Sequence, residues 1–544
     1  MTLLAHLLLV ATFVTPLGLM LACLAPTLRP RVPALLGLAP LPGLAAALVA
    51  PGQPPLQVMV EGLQLGLALD RPSALLLAVA ALLWSAAGAY AGAYIAVART
   101  RFSIWWLLTL AGSLGVFIAE DLLSFYLAFA LVSLAGYGLV VHDRTDRARR
   151  AASTYLLLAV LGEICLLLGF VLLAVGTPGE SIAIAEVVAA LPNSPVRDAA
   201  IAALILGFGL KAGLVPLHVW LPLAHPAAPM PASAVLSGAI IKAGIIGLIR
   251  FLPFEAGQPG WGVALGVLGM FGAFYAVGFG ILQRNPKTIL AYSSVSQMGV
   301  VMAALGFGLA AGDTTAPLSA AFYAAHHVLA KGALFLAVGV ALALGPARWR
   351  WMAAPVLLLV LSFGGLPLTG GAFAKAATKG QLGAGLLGLL AAFSAAGTTM
   401  LMLHFAARLK AEAAESDDGG ALPWPLILPW LGMTAAAVLL PWALFVPLGA
   451  GSFAEVFGTA KMWGALWPVL LGAGLAYALT QARAALPTPP EGDVLVLAER
   501  GFARLSPPIN RLADRLDARL RTWPSGALML LLTVLALMGA MVAR

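Results

Sequence analysis

The sequence predicts an all-α, polytopic membrane protein of about 14–16 transmembrane helices. The first ground is composition: of 544 residues, 61% are hydrophobic and only 10% charged. Soluble domains are about 45–50% apolar and about 25% charged. The second is spacing, since apolar runs of about 20 residues recur along the chain, each able to cross about 30 Å of hydrocarbon. The third is the placement of basic residues, which keep to every second loop.

The runs lie near 2–25, 32–50, 73–97, 104–119, 121–141, 153–175, 198–215, 230–252, 260–282, 287–308, 316–345, 352–370, 382–407, 423–449, 462–480 and 524–543. The first lacks a basic start and a clear small-residue cleavage site, so it reads as a retained helix rather than a signal peptide. Arg29 and Arg31, Arg99 and Arg101, and Arg144, Arg147, Arg149 and Arg150 follow odd-numbered runs. So do Arg284 and Lys287, Arg348 and Arg350, and Arg408 and Lys410, whereas loops after even-numbered runs are acidic or neutral, as with Glu180 and Glu186. Basic loops stay cytoplasmic, so the expected arrangement is multi-pass in the cell (inner) membrane, with both termini on the outer, periplasmic side. The same rule accounts for the net charge of +9 and a pI near 9.8, and no nucleic-acid partner is expected. Cys23 and Cys165 lie inside apolar runs and offer no disulfide framework or metal spacing.

Before the last run, Ile509, Leu512, Leu516 and Leu520 recur at helical spacing among Arg511, Asp514, Arg515, Arg519 and Arg521. That pattern reads either as an amphipathic helix at the cytoplasmic interface or as a solvated linker helix. The expected organisation is 1–100 as N-terminal membrane helices, 101–410 as the translocation core, and 411–480 as additional helices. Residues 481–523 form the loop with the amphipathic segment, and 524–544 the last helix.

Five charges fall within or beside apolar runs: Glu163, Lys211, Lys242, Lys331 and Lys375. Each costs about 2.5–3.5 kcal/mol at mid-membrane, and together they would cost on the order of 10–15 kcal/mol facing lipid unpaired. They must face protein or water, where such groups mark ion or proton paths. Plainer readings stand beside this one. Lys211, Lys242 and Lys375 could snorkel to an interface, Glu163 could pair structurally with a neighbouring helix, and His326, His327 and His404 could be packed core histidines. The set as a whole favours proton movement, because burial brings lysine and glutamate toward proton exchange near neutral pH.

Two runs look interrupted. In the seventh, Lys211 precedes Pro216 in KAGLVPLHVWLP, followed by LAHPAAPMPAS; in the twelfth, Pro367 lies in GGLPLTGGAFAK, with Lys375 at its end. Proline breaks the helix hydrogen bonding, and a membrane tolerates exposed backbone only beside protein or a wet cavity. Two such breaks five runs apart suggest two repeated halves.

Several stretches carry a family resemblance. GFGLKAGLVPLHVWLPLAHPAAPMPASAVLSGAIIKAG at 207–244 resembles the antiporter-like membrane subunits of the complex I superfamily, as do LAYSSVSQMG at 290–299, HVLAKGALFLAVG at 327–339 and LPLTGGAFAK at 366–375. That superfamily comprises proton-pumping subunits of NADH:quinone oxidoreductase, Mrp antiporter subunits and membrane-bound hydrogenase subunits. The resemblance runs from about residue 60 to 410 and implies a core of two inverted five-helix repeats with broken seventh and twelfth helices and a midplane chain of polar residues. It assigns Lys211 as the gated proton carrier, Lys242 to the connecting path, His327 and Lys331 to the eleventh-helix motif, and Lys375 to the exit. His218, His225, Tyr323 and His326 are accessory candidates. Two departures stand out: Ala130 occupies the place of the fifth-helix glutamate, and Tyr323 that of the first histidine of the eleventh-helix motif. Glu163, in AVLGEICLLL, is the expected replacement partner of Lys211.

The resulting expectation is a non-catalytic, proton-translocating subunit of a redox-driven complex. It needs other membrane subunits and the lipid bilayer as partners, and no cofactor of its own. The alternatives are an Mrp-type subunit exchanging Na⁺ or K⁺, a subunit tied to a non-redox partner such as inorganic-carbon uptake, and a structural subunit that no longer pumps.

Overall fold

The computed structural model describes residues 1–60, 63–179, 181–383, 385–416, 422–481, 489–491 and 496. The amphipathic segment near 508–522 and the last run at 524–543 lie outside these. Among the described residues, twelve helices are long and apolar enough to cross a membrane. They match twelve of the expected runs, and the protein is an all-α polytopic membrane protein.

Three further runs are present as broken helices. The seventh is Arg197–Ala212 followed by Trp220–Ala227, and the twelfth is Trp349–Gly364 followed by Gly370–Ala377. The break in 32–50, between Val32–Leu35 and Leu41–Val49, was not expected. Its cause is Pro40, which has no N–H to give the Leu36 carbonyl. Gly88 packs directly onto that carbonyl, where a Cβ would come within 2.6 Å.

The two expected breaks share one local design. Arg197–Ala212 ends at Gly213 (φ 90°), and the Leu214 N–H reaches back to the Gly209 carbonyl at 2.7 Å. Trp349–Gly364 ends at Gly365 (φ 88°), and the Leu366 N–H reaches the Leu361 carbonyl at 3.1 Å. Both are left-handed glycine caps with the six-to-one hydrogen bond, and Pro216 and Pro367 then prevent the helix from resuming.

Met230–Phe251 is wholly buried, and Pro286–Ala311 and Ala316–Leu344 nearly so. These three helices form the centre, while Thr2–Ala22 and Thr459–Gln481 are mostly exposed at the periphery. Close approach between helices rests on small residues, as is usual in membranes. Gly269 and Gly299 face each other between Pro259–Gly280 and Pro286–Ala311, a Cβ on either meeting the other's carbonyl at 2.6 Å.

Cross-contacts define two faces of the bundle. On the basic face Arg101 bonds the His142 carbonyl, Arg408 the Arg284 carbonyl, and Arg147 pairs with Glu491 at 2.6 Å. On the opposite face a short hairpin, Leu56–Val60 with Leu63–Leu67, docks through Gly66 onto Glu120 and Asp121. Beside it, Arg250 pairs with Glu120 at 2.5 Å. A count of apolar runs passes over this hairpin.

Candidate functional site

Lys211 lies in the last turn of Arg197–Ala212, and its side chain turns into the bundle. Its Nζ donates to Ser133 Oγ at 3.0 Å and to Tyr155 OH at 3.3 Å. The rings of Tyr155 and Phe129 flank the ammonium at 5.4 and 5.7 Å. Tyr155 OH in turn donates to the Ser133 carbonyl at 2.8 Å. Glu163 lies two turns along the same helix as Tyr155 and is 7% exposed. Among the described residues, neither of its carboxylate oxygens has a hydrogen-bond partner. The expected Glu163–Lys211 partnership is not a direct contact: among the described residues no ion pair of 4.0 Å or less joins the two, and Lys211 bonds Ser133 and Tyr155 instead.

Helix Lys242–Phe251 passes against the same turn, since a Cβ on Gly244 would lie 2.7 Å from the Ala212 nitrogen. Lys211 and Lys242 therefore sit on touching backbones but reach toward different helices. Lys242 Nζ lies 2.6 Å from His327 Nδ1 and 3.3 Å from the Ser237 carbonyl. Ser237 Oγ and Ser294 Oγ are 2.7 Å apart, and Ser294 Oγ donates to the Leu290 carbonyl at 3.0 Å. The same carbonyl accepts from Lys331 Nζ at 2.9 Å. Lys242, His327 and Lys331 are each fully buried, and hydroxyls and carbonyls join them into one polar cluster. Snorkelling is excluded for Lys211, Lys242 and Lys331, whose amines all turn inward.

Phe363 closes the far side of this cluster. Lys331 Nζ is 5.1 Å from its ring centre, and the His326 and His327 rings are at 5.6 and 5.9 Å. His326 Nε2 lies 3.0 Å from Ser362 Oγ, which also accepts from the Gly371 N–H at 3.1 Å. Lys375 donates to the Gly364 carbonyl across the break and lines a cavity of about 440 Å³ with Gln297, Tyr323 and Thr398. A second polar thread enters that cavity: Tyr323 OH donates to Gln297 Oε1 at 2.8 Å, and Gln297 Nε2 to Thr398 Oγ1 at 3.1 Å.

The remaining histidines are varied. His225 is buried with its ring stacked on Phe335 at 4.9 Å, and among the described residues neither ring nitrogen has a hydrogen-bond partner. His218 packs edge-on against Tyr275 at 5.2 Å. His404 bonds the Gln283 carbonyl at 2.8 Å, as a packed histidine should. Lys287, expected as a loop cation, is only 7% exposed and donates to the Ala228 carbonyl in the loop after the seventh helix.

Several participants were not singled out from the sequence: Ser133, Tyr155, Ser237, Ser294, Gln297, Thr398 and Phe363. Two had a positional signal. Ser133 lies one helical turn after Ala130, and Tyr155 two turns before Glu163, on the same faces.

The family model described as NADH:quinone oxidoreductase/Mrp antiporter, TM, matches residues 119–401. An uncharacterized protein of Mycobacterium tuberculosis is 36% identical over 286 residues, 48% of this chain and 44% of that protein. Hydrogenase-4 component B of Escherichia coli is 28% identical over 280 residues (47% and 41%). A Na(+)/H(+) antiporter subunit of Bacillus subtilis is 34% identical over 255 residues (44% and 31%). The matched stretch spans less than half the length of each of these relatives. Among solved structures, a chain of the Mrp complex from Dietzia sp. DQ12-45-1b superposes with TM-score 0.78 at 24% identity, covering 99% of this chain and 63% of that one. A chain of the membrane-bound sulfane sulfur reductase, an archaeal respiratory membrane complex, gives 0.71 at 20% identity, covering 98% and 100%. At these identities the superpositions establish the shared fold.

Proposed function

Because the chain belongs to the NADH:quinone oxidoreductase/Mrp antiporter transmembrane family, we propose that it is the proton-translocating membrane subunit of a multi-subunit, redox-driven complex. Protons move on this reading along Glu163, Lys211, Lys242, His327, Lys331 and Lys375. The observation that carries it is the Lys242–His327 contact of 2.6 Å between two fully buried bases. An amine and an imidazole nitrogen at that separation are hydrogen-bonded, which gives a proton a direct route between them. A purely structural role would be met more cheaply by apolar side chains, since unpaired buried charge is costly. Redox chemistry would reside in partner subunits, and the likeness to a hydrogenase-4 component supports that assignment.

The Mrp-type reading rests on the likeness to the Na(+)/H(+) antiporter subunit of Bacillus subtilis. Hard cations favour sites with about six oxygen ligands, carboxylates prominent among them. Among the described membrane-embedded candidates Glu163 is the only carboxylate, set beside Lys211, which opposes cation binding there. The test is proton flux in proteoliposomes of the intact complex, driven by the redox reaction or by an imposed Na⁺ or K⁺ gradient. Flux that follows the redox reaction, ignores the cation gradients and is lost in Lys242→Met supports the proposal. Flux that follows Na⁺ or K⁺ selects the antiporter reading, and normal flux in Lys242→Met refutes both.

A further inference from the structure

We infer that Glu491 is a positioning residue: from the basic face its carboxylate clamps the two helices that flank the second half of the broken seventh helix, and so keeps the Lys211 site in shape. The inference rests on the proton-translocating reading above. Glu491 follows Thr459–Gln481 in the chain, yet it bonds two helices of the core. Arg147 Nη2 donates to both of its carboxylate oxygens, at 2.6 and 2.8 Å. Thr288 Oγ1 donates to Glu491 Oε1 at 3.0 Å. One carboxylate oxygen is thus shared by a residue of Asp146–Val175 and a residue of Pro286–Ala311.

The strap is anchored most firmly on the Pro286–Ala311 side. Tyr292 OH donates to the Glu491 carbonyl at 3.3 Å, and Gln283 Nε2 to the Pro489 carbonyl at 3.4 Å. Thr288 and Tyr292 are both fully buried and lie one helical turn apart on the same face. On the Asp146–Val175 side the contact is Arg147, whose side chain is 51% exposed. Water competes for a half-exposed ion pair, so this is the side on which the clamp can release.

What lies between the two helices gives the clamp its consequence. Trp220–Ala227, where the chain resumes a helix after the break, packs against both of them. Its first residue, Trp220, packs edge-on against Tyr155 at 5.2 Å and donates from Nε1 to the Leu210 carbonyl at 3.0 Å. Tyr155 in turn accepts from Lys211 and lies about two turns from Arg147 on one helix. Just past the other end, the Ala228 carbonyl accepts from Lys287, the residue before Thr288. If Arg147 lets go of Glu491, the two flanking helices lose a tie across this half-helix. Trp220 then loosens, and through Tyr155 so does the hold on Lys211. Glu491 itself carries no proton in this scheme; it acts through position.

The experiment uses the full chain in its complex, reconstituted in liposomes with an imposed diffusion potential, with proton uptake followed by an internal pH dye. Glu491→Gln keeps the shape and removes the charge; its flux should fall about fivefold, the upper range for one half-exposed ion pair. Arg147→Gln should cost the same, and the double variant no more than either single, because both act through one contact. Hydrogen exchange gives an independent reading: amides of Trp220–Ala227 should exchange faster in both single variants, although neither substitution lies in that segment. Arg149→Gln breaks only a pair with Asp146 on its own helix and should leave both readouts unchanged. Wild-type flux in Glu491→Gln, unchanged exchange in Trp220–Ala227, or additive losses in the double variant would each overturn the clamp; with Lys211→Met inactive, the subunit reading would still stand. Normal flux in Lys211→Met would remove the subunit reading itself.

Discussion

Replacing His327 with leucine tests the centre of the proposed path most directly. Leucine fills the space between Lys242 and Phe363 without a nitrogen. Lys242 then keeps the Ser237 carbonyl at 3.3 Å and loses the imidazole at 2.6 Å. A hydrogen bond to a charged group contributes about 1.5–3 kcal/mol, which is about a ten- to hundredfold change in how readily Lys242 holds its proton. The imidazole is also where that proton would go next, so flux should fall by at least the same factor. Successive helical positions point in different directions, and His326 faces Ser362 rather than Lys242. His326→Leu therefore serves as the control, with an expected loss under about threefold. The assay is the initial rate of dye-reported proton uptake under a fixed diffusion potential, normalised to assembled complex. Wild-type rate in His327→Leu, or equal damage from His326→Leu, would refute the reasoning.

Glu163→Gln should abolish driven proton movement while leaving assembly intact on native gels; normal pumping would remove Glu163 from the path. Gly371→Ala places a Cβ 1.6 Å from the Ser362 carbonyl. Overpacking typically costs about 1–3 kcal/mol, and this contact should reach at least the top of that range, seen as a lowered unfolding temperature in detergent; an unchanged temperature would mean that the break relaxes freely. Outside the spans, partial burial pushes the Asp313 carboxyl up, but hydrogen bonds from Thr315 and Gln381 outweigh it and hold it below the ordinary range. A depressed carboxylate stabilises above its unfolded pKa of about 3.9 and loses that contribution as pH falls through the lower folded value. Acidification below about pH 4 should therefore raise hydrogen exchange in the 313–315 turn, and Asp313→Asn should remove that pH dependence.

The helices of the described residues and the two expected breaks were legible because each is written in residues with a strong physical bias. A run of leucines and alanines must span, and Gly-Leu followed by proline must stop. The break at Pro40 was hidden because hydropathy does not register a missing N–H. The charged members of the candidate site stood out for a similar reason, since five ionisable groups in apolar runs need an explanation. Ser133, Ser294 and Gln297 were not. A hydroxyl or amide is cheap inside a membrane helix when it bonds its own backbone, so its presence carries little information until its partner is seen. Lys287 was misplaced because it neighbours Arg284 at a helix end. Its amine bonds the Ala228 carbonyl, which comes from a distant part of the chain.

The two glycine caps bring the halves into register and show where they part. Lys211 stands two residues before Gly213, and Phe363 stands two residues before Gly365. The position that carries an ammonium in the first half carries an apolar ring in the second. That ring lies against Lys331, His326 and His327, while the carbonyl of the next residue, Gly364, accepts from Lys375. On the proposed path a proton crossing the first break would have a basic nitrogen to rest on, and one crossing the second would meet a phenyl face. On the proposed path the two breaks therefore do different work: the first stores a proton, and the second sets an apolar ring beside the central cluster. Phe363→Ala should accordingly raise passive proton leak with no driving reaction, whereas loss of Lys211 should lower driven flux. Finding the same sign of effect at both positions would show that the halves are equivalent after all.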